Sequence, residues 1–235
     1  MEINRPIEQN LTDVLTDKPF RFNVGKQTFS IYPATLGKMQ LLKNLYLAME
    51  VNAGALFPDP LAETLRVCRQ ESALVCRIIA YSTFNGKEEI LDDEKVCRRA
   101  RVFEKELDAE ELATLLSLIL TSDKTDEFIR YFGIDADREK RAQISRIKGE
   151  GNSLCFGGKS IYGLIIDFAC QRYGWTLDYV LWGISLVNLN LLSADALTSV
   201  YLSQAERKKL GMGEGEQINA DDPANKVLIR KILNE

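Results

Sequence analysis

Gly157-Gly158-Lys159-Ser160 leads into a helical pattern and has the residue types that close a phosphate-binding loop. Such a loop wraps phosphates in backbone N–H groups, with a further glycine five residues before the second one and a buried strand leading in. Ser153 stands where that glycine belongs, and the lead-in RIKGEGNSLCF offers little strand. Leu164-Ile165-Ile166-Asp167 has the look of a metal-binding strand, yet it falls on one helix with the lysine. Gly211, Gly213 and Gly215 imitate a dinucleotide loop, but they follow no strand and alternate with glutamates that would repel phosphate. A nucleotide-binding switch or enzyme built on Gly158-Lys159-Ser160 is thus the alternative reading, and the expectation lies elsewhere.

The chain contains no histidine. That removes Ser–His and Cys–His nucleophile pairs, histidine bases and His-containing zinc sites. Cys68, Cys76, Cys97, Cys155 and Cys170 are odd in number and show no CxxC spacing. Cys68 and Cys76 are expected to share a face of one helix as small buried residues. No catalytic, metal-ligating or cofactor-binding residue is assigned, and the expectation is a protein that is not an enzyme.

Two clusters suggest binding instead. Arg138, Lys140, Arg141, Arg146 and Lys148 could neutralise phosphates as part of a helical nucleic-acid-binding adaptor. No aromatic residue lies between Asp135 and Asn152 to stack on bases, so a solvated connector is the preferred reading. Tyr173, Trp175, Tyr179 and Trp182 concentrate the residue types that anchor protein interfaces, with Phe57 a weaker candidate. A net charge of −4 and a pI near 5.2 give no general attraction to nucleic acid or anionic membrane. MEINRPIEQN has no apolar core region, so no secretory signal and a cytoplasmic location are expected.

The elements that must position these residues read as mainly α, with one small N-terminal β-hairpin. FRFNV-GKQ-TFSIYP alternates like two strands joined at Gly25-Lys26. Thr35 can cap a helix from Leu36 to about Val51, with Leu41, Leu42, Leu45 and Ala48 inward. Asp59-Pro60 opens a helix expected to run through Leu61, Leu65, Cys68, Val75 and Ile79 to about Thr83. A more polar helix from Asp92 to Glu106 follows, then one opened by an Asp108/Glu111 capping box, then a short helix closed by Gly133.

Ser160 to Tyr201 is apolar on almost every side and is expected to form a principal buried core; Asp167, Arg172 and Asp178 exclude a bilayer span. Four regions result: a hairpin and helical domain over 1–133, a charged, glycine-rich connector over 134–158 whose first half could be an exposed helix, a compact helical domain over 159–210, and a flexible acidic tail over 211–235. The tail ends in the short amphipathic KVLIRKIL.

Two of these pieces together resemble a known family. VGKQTFSIYPATLGKMQLLKNL is a hairpin with a glycine turn running through a proline into a helix. IIDFACQRYGWTLDYVLWGISLVNLNLL joins two short apolar helices through Tyr173-Gly174-Trp175-Thr176. The arrangement, over residues 20 to 205, is similar to the tail assembly chaperones of long-tailed bacteriophages and prophages. The resemblance implies a mostly helical, non-enzymatic protein of the host cytoplasm that uses no cofactor. It also implies a partner, the tape measure protein or another phage tail protein, and leaves room for self-association.

Overall fold

The computed structural model describes residues 5–149 and 156–212. Cys155, most of the expected acidic tail and KVLIRKIL lie outside the described residues. The described chain is mainly helical with one two-stranded antiparallel hairpin, as the sequence predicts. It divides into two compact units, one of residues 1–132 with 157–196 and one of residues 133–156 with 197–235.

In the first unit, α1 (Arg5–Leu15) precedes the hairpin of β1 (Phe20–Val24) and β2 (Gln27–Ile31). Phe20 pairs with Ile31 and Val24 with Gln27, which leaves Gly25-Lys26 as the turn; Gly25 has a positive φ of 57°. Phe22 and Phe29 lie on one face of the hairpin, and both rings contact Phe103. Thr35 caps α2 (Leu36–Ala48) through its hydroxyl, as expected. The inward face of α2 is rotated from the expected one: Leu36, Lys38 and Leu42 are buried, Leu45 is partly buried, and Leu41 and Ala48 are exposed.

The expected single helix from Pro60 to Thr83 is two. α4 (Pro60–Gln70) ends at Glu71, whose φ of −130° and ψ of 45° leave the helical region, and α5 (Ser72–Ser82) begins at once. Neither glycine nor proline marks the break. Its consequence is that α4 lies along α8 (Ala109–Leu120), while α5 turns inward between α7 (Asp93–Glu106) and α8. Cys68 and Cys76 therefore sit on consecutive helices, though both are buried in one core. Val75, Ile78 and Ile79 on α5 and Phe103 on α7 are completely buried. The main core is thus centred on α5, whereas Ser160 to Tyr201 contributes a smaller cluster.

That smaller cluster joins Leu36 to Ile166, Ala169, Val180, Ile184 and Leu189. Its elements are a π-helical turn over Tyr162–Ile166, α11 (Asp167–Tyr173), a second π-helical turn over Tyr179–Gly183 and α12 (Leu186–Ala194). The boundary expected at 158/159 does not separate this segment from the N-terminal part. Leu186 N donates to Ala34 O at 2.7 Å, and Thr35 and Ser185 form an isolated antiparallel bridge. Asn188 Nδ2 donates to Val14 O at 2.9 Å and to Asp17 Oδ1 at 3.0 Å, fixing α12 to the end of α1. Those seams span more than a hundred residues of sequence and left no local trace.

In the second unit, the first part of the expected connector is a regular helix, α10 (Ile134–Lys148), begun after Gly133 in the left-handed conformation. α13 (Gln204–Lys209) carries a Ser203/Glu206 capping box, and Lys148 Nζ lies 3.5 Å from Glu206 Oε1. No helix among the described residues is long and apolar enough to cross a membrane.

Candidate partner-binding surface

Three of the four aromatic candidates come together around the turn after α11. Gly174 ends that helix in the left-handed conformation with φ 67°, the usual way to stop a helix and redirect the chain. Trp175 folds back so that its ring stacks on Tyr173, with centroids 4.6 Å apart and an interplanar angle of 28°. Tyr179 meets Trp175 edge-on at 5.2 Å, and Phe168 meets Tyr173 edge-on at 6.2 Å. Such pairs add about 0.5–1.5 kcal/mol each beyond area burial, so the surface is preorganised. Tyr173 Oη donates to Leu192 O at 3.2 Å, and Thr176 Oγ1 accepts from Tyr179 N at 3.2 Å.

Trp182 does not join them. It packs against the main core and against α2, where a Cβ on Gly37 would come within 2.9 Å of its Cε2. Gly183 positions Tyr179 in a similar way, since a Cβ there would fall 2.3 Å from Tyr179 Cδ2. Gly183 follows Tyr179 by four residues on an apolar segment, which is a local signal for the close approach; Gly37 has none, because the ring it makes room for lies far away in sequence.

The stack is only partly covered. Tyr179 is 43% exposed, and Leu177 beside it is 49% exposed. On the preceding π-helical turn Tyr162 and Leu164 are 66% and 59% exposed, contrary to the expectation that this helix is buried all round. Phe57, at the end of α3 (Ala53–Leu56), is exposed at a separate place in the sequence.

The residues that could do chemistry are differently placed. Phe156 to Ser160 is irregular and exposed, with Gly157 and Gly158 both at positive φ. Ser160 Oγ accepts from Gly163 N at 3.4 Å, so it works as a helix cap. Burial pushes the Cys68 and Cys76 thiols up to about 11, which keeps them protonated and unreactive at neutral pH. Among the described residues no three His, Cys, Asp or Glu side chains converge as metal ligands. The Arg138–Lys148 cluster lies along exposed α10, interleaved with Asp137 and Glu139.

No protein-family model, no curated protein and no solved structure matches this chain.

Proposed function

We propose that this protein is a non-enzymatic phage or prophage tail assembly chaperone that binds a tape measure protein and keeps it soluble during tail morphogenesis. The observation that supports this reading is the preorganised Tyr173–Trp175–Tyr179 stack, left partly open with Leu177 beside it. Apolar helices of a client dock on apolar and aromatic surface held in place by the binder, with hot spots at tryptophan and tyrosine. The charged remainder of the chain keeps such a binder in solution. The sequence resemblance over residues 20 to 205 supplies the identity of the client.

Co-expression with a tape measure protein, affinity capture and size exclusion test the reading. A soluble stoichiometric complex is expected, with the client insoluble alone. Trp175→Ala with Tyr179→Ala is expected to release the client; because Trp175 also packs against the smaller core, circular dichroism checks that the variant remains folded. Trp182→Ala instead lowers stability, by about 2–4 kcal/mol, because it opens a hole against α2. A client that stays soluble with the Trp175/Tyr179 double variant refutes the assignment of the surface, and a client soluble alone refutes the function.

A further inference from the structure

A second surface, built from α7 and the hairpin turn, has a different character. Two adjoining open clefts, of about 490 Å³ and about 350 Å³, share Gln27 and Val102 in their walls. The first is lined by Lys26, Arg101 and Lys105 with Glu106, and the second by Lys95, Arg98 and Arg99 with Glu89. A chain of net charge −4 thus carries a groove of six cations against two carboxylates.

Some of these cations are already committed. Arg99 donates to Thr83 O at 3.1 Å and lies 3.6 Å over the Phe84 ring. Lys105 reaches Glu106 at 3.2 Å and Lys95 reaches Asp92 at 3.8 Å. Lys26, Arg98 and Arg101 are exposed, and no carboxylate among the described residues stands within ion-pair distance of them. Arg98, Arg101 and Lys105 fall at i, i+3 and i+7, one stripe of α7. Like charges at such spacings destabilise a helix. Lys105 is paired with Glu106, which leaves the Arg98 and Arg101 guanidinium groups for a bound anion to relieve.

We infer that the α7–hairpin groove binds an acidic, partly apolar peptide segment of a partner protein, with Lys26, Arg98 and Arg101 receiving its carboxylates. Val102, exposed and shared by both clefts, stands among the cations, which suits a segment that carries an aliphatic side chain between its carboxylates. A nucleic-acid strand fits less well. Arg99 already covers the Phe84 ring and lies 5.5 Å from the Phe29 centroid, so neither offers a free face for a base. Glu89 and Glu106, one in each cleft, interrupt a phosphate track. At physiological salt the Debye length is about 8 Å, so the local cations outweigh the chain's overall charge for a bound segment. This inference is independent of the aromatic surface and of the proposed client.

The test uses the full chain and a short fluorescein-labelled peptide of alternating glutamate and leucine, followed by anisotropy at two salt concentrations. Saturable binding that weakens with salt is expected. Arg98→Glu with Arg101→Glu, and separately Lys26→Glu on the hairpin, are each expected to weaken it about tenfold or more. Arg138→Glu with Arg141→Glu on α10 should leave it nearly unchanged. Circular dichroism checks that each variant remains folded, and the hairpin variant serves if the α7 variant does not. Absence of saturable binding, equal weakening by the α10 pair, or tighter binding of a single-stranded oligothymidylate competitor overturns the inference.

Discussion

Lys38 is 2% exposed, and its Nζ donates to Phe84 O at 2.9 Å with no carboxylate facing it. Desolvation therefore lowers its pKa from the ordinary 10.5 to about 8. At neutral pH the amine is charged in both folded and unfolded chains, and the folded state carries the full cost of burying it. Between pH 8 and 10.5 the unfolded chain holds a proton that the folded chain has released, so stability rises with pH across that window. The drop from 10.5 to about 8, at 1.36 kcal/mol per tenfold, makes the rise about 3 kcal/mol. Cys68, Cys76 and Tyr46 act in the opposite direction, since burial pushes them up to about 11, 11 and 12. Their effect is common to wild type and Lys38→Met and cancels in the difference.

Lys38→Met removes the buried charge but leaves the Phe84 carbonyl without its donor, which costs about 1–3 kcal/mol. The two effects nearly offset at pH 7, where the variant is expected to match wild type within about 2 kcal/mol. Urea unfolding followed by tryptophan fluorescence, at steps from pH 7 to pH 10.5, measures both proteins. The stability of wild type relative to the variant should climb by about 3 kcal/mol between the ends of the series. A difference that stays flat with pH would show that the amine is solvated or paired, and the reasoning would fail.

Three further outcomes are expected. Gly37→Ala would place a Cβ 2.8 Å from Leu181 O, and a backbone neighbour cannot swing aside; a loss of about 1–3 kcal/mol in thermal or urea unfolding should follow. Glu63, buried, accepts from Arg66 Nη2 at 2.6 Å and from Asn52 N at 2.7 Å, and those bonds, the arginine first, hold its carboxyl down at about 2 from an ordinary 4.5. Its contribution is present above pH 4.5 and lost as pH falls toward 2, so Glu63→Gln should cost about 1–2 kcal/mol at neutral pH and nothing near pH 2. Asn188→Asp would set a carboxylate against Asp17 Oδ1 and Val14 O in place of a donor to both, and should destabilise more than Asn188→Ala in the same unfolding assay.

What the sequence made legible was local. Asp59, Asp92 and Asp108 accept from backbone N–H groups two or three residues on, and Gly133 and Gly174 take the left-handed conformation. Each of these signals lies within one turn of the element it bounds. The break at Glu71 was invisible, because the apolar period continues from Cys68 to Val75 as though one helix carried both. The inward lysine on α2 was equally hidden: its one acceptor is a carbonyl 46 residues away. At the candidate surface, sequence spacing grouped Trp182 with Tyr179, three residues apart. The wide turn over Tyr179–Gly183 and the close approach of Gly37 send the two rings to different neighbours. The α7 groove has no local signature, because Lys26 lies some seventy residues from the arginines it joins.

The end of α5 has a consequence for how the chain comes apart. The carbonyls at and just beyond its C-terminus accept from three distant donors: Ser82 O from Tyr32 N, the residue after β2, at 3.0 Å, Thr83 O from Arg99 on α7 and Phe84 O from Lys38 on α2. Fraying this helix end would strand three buried acceptors at once, and releasing the hairpin, α2 or α7 would each strand one. Partial opening at this point is therefore penalised from every direction. Amide hydrogens of the hairpin, α2, α5 and α7 should exchange together, as a single cooperative block.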